Sequence, residues 1–324
     1  MEKKDLRIVF LGTPEFAVES LRRILDEGYN VVGVVTMPDK IAGRGHKLIH
    51  SAVKDFALSR GLHIMQPEKL KDEAFVEELR SLHADLFVVI AFRMLPEVVW
   101  GMPPLGTFNL HASLLPRYRG AAPINRAVMN GDTETGVTTF FLQQGMDTGD
   151  ILRQERIAIG PDEDAGSVHD RLMMLGADLT LDTIRHIVAG DLRPVPQDEL
   201  LKHEPATPAP KIFKETCRID WTLPGAALHN HVRGLAPYPA AWTVLRDAEG
   251  NETELQVFAV RVLPGETSSQ PAGTLLVRND GRMAVATADG LVLEILELRA
   301  AGRRRMPAAD YLRGARLGGP ACLV

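Results

Sequence analysis

Cysteine is almost absent: Cys217 and Cys322 are the two in a chain of 324 residues. They are far apart and outside any metal-ligand or redox spacing, which sets aside a disulfide framework, a zinc cluster and a dithiol centre. Long apolar runs are missing as well. Nothing approaches the roughly 18 uninterrupted apolar residues that a spanning helix needs. The charged first seven residues lead only into residues 8–11 before Gly12-Thr13-Pro14 interrupts, so no export leader is expected. A soluble, cytoplasmic protein follows. The chain also lacks a positive excess, with 37 Lys+Arg against 42 Asp+Glu and a net charge of −5, so nucleic-acid binding over the whole surface is not indicated. The balance is uneven, however. Residues 211–324 hold 14 Lys+Arg against 12 Asp+Glu, leaving 23 against 30 in residues 1–210. Finally, Gly12-Thr13-Pro14 lacks the second and third glycines that let a backbone approach a pyrophosphate, which disfavours a dinucleotide-dependent dehydrogenase.

What is present reads as two domains. In the first half, short β-branched runs alternate with amphipathic stretches, the pattern of a mostly parallel α/β sheet of the Rossmann-like kind with helices on both faces. Residues 7–11, 30–35, 86–91 and 107–111 read as strands, and 167–188 as a long closing helix. Thr13 is placed to cap a first helix with Pro14 in its first turn. Between 190 and 210 five prolines among polar residues suggest an extended connector, so we expect domains at 1–190 and 211–324 with a linker at 191–210. Beyond it, alternating segments at 255–262, 273–277, 283–287 and 291–298, separated by Gly, Asn and Asp, suggest a small β-barrel of the oligonucleotide-binding kind.

The chemistry concentrates in two stretches. Asn109 and His111 lie two apart on an expected strand, so their side chains leave the same face, at a strand end opening into a cleft. The residues after them, Ser113-Leu114-Leu115-Pro116-Arg117-Tyr118-Arg119-Gly120-Ala121-Ala122-Pro123-Ile124, cannot form a regular element and begin too apolar for a solvated loop. A ligand-shaped loop fits better. Downstream, Gly145-Met146-Asp147-Thr148-Gly149-Asp150 sets two acids among glycines after a strand-like stretch at 135–143, and either acid is a candidate partner for the histidine. Each piece alone also suits a plain structural role, since a β-turn uses the same letters.

Taken together the pieces resemble the folate-dependent formyltransferases. The likeness rests on Asn109-x-His111, on Ser113-Leu114-Leu115-Pro116-x-Tyr118-Arg119-Gly120-Ala121-Ala122-Pro123-Ile124 and on Asp147-Thr148-Gly149-Asp150. It extends to Gly12-Thr13-Pro14-x-Phe16, to Pro38-Asp39-Lys40-x-x-Gly43-Arg44-Gly45 and to Lys211-Ile212-x-Lys214-Glu215-x-x-x-Ile219-Asp220-Trp221. Three positions depart from the family pattern: Phe92-Arg93 stands where Tyr-Gly is usual, Asn125 where glutamine is common, and Ile41 where proline is frequent.

The resemblance implies a donor, 10-formyltetrahydrofolate, consumed as a substrate, and no metal. It implies that Asn109 and His111 donate to the oxyanion of a tetrahedral intermediate, that Asp147 orients the imidazole, and that Ser113, Leu114, Leu115 and Pro116 contact the folate. The acceptor it implies is the amino group of initiator methionyl-tRNA. Lys40, Arg44 and Lys47 on one loop, with Lys211, Lys214, Arg303, Arg304 and Arg305 in the second domain, are the candidates for phosphate contact. A monomer is expected. Formylation of an amino sugar or of glycinamide ribonucleotide, and hydrolysis of the formyl-folate, would use a similar Asn, His and Asp set. A non-catalytic RNA-binding protein would predict a broken set, and this one is intact.

Overall fold

The computed structural model describes residues 2–42, 47–202, 205–276, 281–315, 317 and 319–324. It contains two compact units. One comprises residues 1–121, 135–157 and 169–209, and the other residues 122–134, 158–168 and 210–324.

The first unit is built on a seven-stranded sheet in the order Ile151–Ala158, Glu134–Phe141, Thr107–His111, Leu86–Ile90, Arg7–Gly12, Asn30–Val35, Ile64–Met65. The last five are mutually parallel, and Glu134–Phe141 runs antiparallel to Thr107–His111. The central strand Leu86–Ile90 consists of Leu, Phe, Val, Val and Ile, all buried, as a strand covered on both faces must be. Its Phe87 and Val89 join Val9, Leu11 and Val35 against Phe75, Val76 and Leu79 of the helix Glu73–Ser81. Register aligns the carboxyl ends of the parallel strands: Gly12 pairs with Ile90, and Ile90 with Leu110. His111 therefore stands one residue beyond that line, at the end of an α/β sheet where ligands are bound.

One local expectation is corrected. Thr13 does not cap the first helix, which runs Glu15–Asp26 with Pro14 as its cap residue and no side-chain cap bond. Pro14 adopts an extended ψ of 173°, which puts the turn between Thr13 and the helix, and the Thr13 hydroxyl is buried with no partner among the described residues. The turn is instead tied by its backbone, the Val53 N–H donating to the Thr13 carbonyl. The long helix runs Ala165–Ala189.

The second unit is a barrel-like antiparallel sheet in the order Leu275–Leu276, Met283–Ala286, Leu291–Ala300, Glu252–Thr267, Ala241–Arg246, Cys322–Leu323. A bridge between Thr274 and Cys322 joins its first and last members. The 16-residue strand Glu252–Thr267 pairs along both flanks. Its register against Leu291–Ala300 shifts at Val257/Ala259 and Ala259/Val260, the bulges by which a sheet bends enough to close. Leu228, Val232 and Leu235 of the helix Gly225–Leu235 fill the core with Trp221, Leu255, Val257, Leu293 and Ile295. Two strands, Ala241–Arg246 and Cys322–Leu323, were not expected from the sequence pattern.

Candidate active site

Asn109 and His111 occupy the strand Thr107–His111, whose antiparallel neighbour sets Phe140 opposite Asn109 and Thr138 opposite His111. His111 is buried, and its Nε2 lies 2.8 Å from the Tyr118 carbonyl oxygen. A carbonyl only accepts, so Nε2 carries the hydrogen and Nδ1 is the nitrogen left for chemistry. Nδ1 faces Asp147 Oδ2 at 3.9 Å. That separation exceeds a direct hydrogen bond and leaves both groups able to meet a third atom. Of the two candidate acids, Asp147 is the one beside the imidazole. Asp150 serves the adjoining strand through its backbone, its carbonyl accepting the Phe141 N–H at 3.0 Å.

Asp147 is held on every side. Its Oδ2 accepts the Gly120 N–H at 2.9 Å, and its φ of +54° lies in the left-handed region that non-glycine residues enter at a cost. Two glycines make the surrounding turns feasible. A Cβ on Gly149 would sit 1.6 Å from the Phe141 carbonyl oxygen, and one on Gly120, whose φ is +126°, would sit 2.6 Å from the Ala209 carbonyl oxygen. The Asn109 Oδ1 is buried and has no hydrogen-bond partner among the described residues.

The loop after His111 is pinned inward. Ser113, Leu114, Leu115 and Pro116 are buried, and the Ser113 hydroxyl donates to the Arg117 carbonyl at 2.7 Å. Thr138 is the fastener: its hydroxyl donates to the Ser113 carbonyl at 2.6 Å and accepts the Leu115 N–H at 3.1 Å and Gln154 Nε2 at 2.9 Å. Leu115 packs with Phe140 and Ile151. Arg93, one of the departures from the family pattern, donates to the carbonyls of Pro67 and Glu68, and burial lowers its pKa.

Comparison with known proteins bears directly on this arrangement. The formyl transferase family model matches residues 6–184, and the model of the formyl transferase C-terminal domain matches residues 211–316. The chain belongs to the formyl transferase family. Among its relatives in that family, the methionyl-tRNA formyltransferase of Phocaeicola vulgatus is 57% identical over 320 residues, covering 98% of each chain. That of Bacteroides thetaiotaomicron is 53% identical over 317 residues, again covering 98% of each. Among solved structures, the N-formyltransferase from Helicobacter canadensis, in complex with folinic acid and dTDP-3-aminofucose, has the same fold with a TM-score of 0.65. It is 18% identical, and the match covers 90% of this chain and 98% of that one.

The basic candidates of this formyl transferase fall in two places. Lys40 is exposed and opens the strand Lys40–Ala42, while Arg44 and the Lys47 side chain lie outside the described residues. Asp39 anchors the root of that loop by accepting from Lys54 Nζ and Gln66 Nε2, and these bonds, with Lys54 foremost, hold its carboxyl below the usual range. In the second unit Lys214 pairs with Glu254 at 3.4 Å, and the Glu254 carbonyl accepts the Ala301 N–H. The stretch bearing Lys211 and Lys214 and the turn bearing Arg303, Arg304 and Arg305 thus both reach Glu254. Arg303 and Arg304 are exposed, whereas Arg305 pairs with Glu297 and stacks over Phe258 at 4.3 Å. Lys211 lies over the exposed ring of Phe213 at 5.7 Å.

Sequence reasoning passed over the residues that hold the site from outside. The Tyr118 carbonyl and the Gly120 amide are backbone groups, to which residue type gives no clue. Gln197 sits in the proline-rich stretch read as a connector, yet it is buried and touches the Asp147 loop.

Proposed function

We propose that the chain transfers the formyl group of 10-formyltetrahydrofolate to the amino group of initiator methionyl-tRNA, as a cytoplasmic monomer serving translation initiation. The observation that carries the reading is the approach of Asp147 Oδ2 to His111 Nδ1 at the sheet end, on the face that Asn109 shares. Relatives 53% and 57% identical over 98% of the chain are named for this activity, which favours it over the sugar reaction of a structural relative at 18% identity.

In the reaction the amine nitrogen forms a bond to the formyl carbon, and the carbonyl oxygen takes the electron pair as an oxyanion. The carbon–nitrogen bond to the folate then breaks, one proton leaving the amine and one reaching the folate nitrogen. Asn109 Nδ2 donates to the developing oxyanion, a type of contact worth on the order of 3 kcal/mol in a water-poor site. With Nε2–H held by the Tyr118 carbonyl, His111 can donate to the same centre from Nδ1 only when that nitrogen also bears a hydrogen, a form the neighbouring Asp147 carboxylate supports; Asp147 receives the proton from the incoming amine, directly or through a water. No covalent intermediate is required. Ser113 is not a nucleophile in this scheme, because its hydroxyl is buried and committed to the Arg117 carbonyl. The 113–116 loop meets the heterocycle chiefly through its backbone. Lys40, Arg44, Lys47, Lys211, Lys214 and the Arg303 to Arg305 turn supply the cations for tRNA phosphates.

The test is incubation with 10-formyltetrahydrofolate and charged initiator tRNA, followed by detection of formylmethionine. Glycinamide ribonucleotide, a nucleotide-linked amino sugar and water alone run in parallel. Formylation of the tRNA with the others inert is expected. Faster transfer to either small amine, or release of formate without an acceptor, overturns the reading.

A further inference from the structure

We infer that Gln197 is a positioning residue for Asp147, so that the stretch between the long helix and the second unit belongs to the catalytic apparatus rather than being a passive connector. The inference rests on the reading of Asp147 as the carboxylate of the formyl-transfer site.

Gln197 opens the four-residue helix Gln197–Leu200 and is fully enclosed, with 2% of its surface exposed. Every hydrogen-bonding valence of its amide is used. Nε2 donates to the Asp147 carbonyl at 2.9 Å and to the Gly149 carbonyl at 2.8 Å. Oε1 accepts from Arg119 Nε at 3.1 Å and from Arg119 Nη2 at 2.6 Å. The partners leave no choice of orientation, because two carbonyls can only accept and a guanidinium can only donate. A buried amide satisfied in this way defines one local geometry.

The geometry it defines is that of the turn carrying Asp147. With φ at +54°, Asp147 takes a left-handed backbone that aspartate enters at a modest cost, and contacts outside the turn favour it. Gln197 fastens the turn from the carbonyl side at both Asp147 and Gly149, while the Gly120 amide fastens the carboxylate itself. Arg119 links the two fastenings. Its side chain holds Gln197, and its backbone, with Gly120, pairs in parallel with Pro208–Ala209 of the same proline-rich stretch. The stretch also reaches the other catalytic partner. Thr207 Oγ1 accepts the Tyr118 N–H at 2.8 Å, next to the carbonyl that takes His111 Nε2. None of the four hydrogen bonds of Gln197 goes to the imidazole; its action is through Asp147.

The experiment compares Gln197→Met, Gln197→Glu, Arg119→Met and Asp147→Asn in steady-state formylation of methionyl-tRNA, with thermal denaturation of each. Gln197→Met should lower kcat about tenfold, since small displacements of a catalytic group carry losses of that order, and leave KM for the formyl-folate within about twofold. Gln197→Glu keeps the length but turns an acceptor toward two carbonyls, and it should cost more than the methionine. Arg119→Met, at a partly exposed position, serves if both Gln197 variants misfold, and a loss of about threefold in kcat is expected. In an Asp147→Asn background Gln197→Met should cost less than about twofold further, as it must if the glutamine acts through that carboxylate. Unchanged kcat in folded Gln197→Met and Gln197→Glu overturns the inference, as does unchanged kcat in Arg119→Met if the other two misfold. So does an undiminished loss in the Asp147→Asn background. Wild-type turnover by Asp147→Asn itself is a different result, which removes the underlying assignment of Asp147.

Discussion

Replacing Thr138 by valine tests how the loop after His111 is held. The two side chains have nearly the same shape, so packing at this fully buried position is preserved and the hydroxyl alone is lost. That hydroxyl satisfies the Ser113 carbonyl at 2.6 Å and the Leu115 N–H at 3.1 Å, both in buried surroundings. It also accepts from Gln154, whose amide keeps a second bond to the Leu115 carbonyl at 2.8 Å. The substitution therefore strands one buried carbonyl and one buried N–H. Each such group costs about 1–3 kcal/mol, which makes roughly 3 kcal/mol a moderate expectation for the pair. At about 2–4 °C per kcal/mol for a unit of this size, the corresponding fall in Tm is about 6–12 °C. Because the stranded groups lie in the loop assigned to the folate, KM for the formyl donor should rise while kcat changes less. Calorimetry with steady-state kinetics in both substrates reads this out. A Tm within about 1 °C of wild type, or a rise in the tRNA KM with the donor KM untouched, would refute the reasoning.

Asp147→Asn should lower kcat by about 10²–10⁴ with little change in Tm, since an amide oxygen can replace Oδ2 as acceptor of the Gly120 N–H while the charge beside His111 is lost; kinetics and calorimetry on the same sample check both halves. Gly149→Ala forces a Cβ against the Phe141 carbonyl and should displace the Asp147 turn, costing about tenfold or more in kcat, measured by single-turnover formylation. In the second unit burial, before any other influence, holds the His231 and His229 imidazoles below the ordinary histidine value. The unfolded chain then takes up these protons first, so the stabilisation is complete above about pH 6.5 and is lost as pH falls below it; the decline of Tm between pH 7 and 5.5 should flatten in His229→Gln/His231→Gln. Arg303→Glu with Arg304→Glu should raise the tRNA KM and reduce its salt slope by about one for each phosphate no longer neutralised, with the donor KM unchanged.

The strand bearing Asn109 and His111 was readable because alternation is strict over five residues, Thr107, Asn109 and His111 falling on one face and Phe108 and Leu110 on the other. Asp147 was readable only as one of two acids, since the letters around it suit an ordinary turn and the left-handed backbone that brings it to His111 is a product of contacts distant in the chain. Gln197 was hidden by its neighbours: prolines report a chain that cannot form a helix interior or a central strand, not one that is free of tertiary contacts. The strand Ala241–Arg246 escaped because its Trp242 and Val244 alternate with Ala and Thr, a weak pattern until Trp221 donates to Thr243 at 2.9 Å and fixes which face is inside. Thr13 misled for the opposite reason. Its residue type suits a cap, and the proline after it fixed the turn first.

The bridge from Thr274 to Cys322 has a bearing on how the second unit recognises anything. Around that bridge the Leu275 N–H is spent on the Ala321 carbonyl and the Leu323 N–H on the Gly273 carbonyl. At that bridge a passing polypeptide finds these main-chain groups already taken, so accretion of an extra strand there, by a partner or by stray copies, is discouraged. Recognition at that margin is left to side chains and turn backbones.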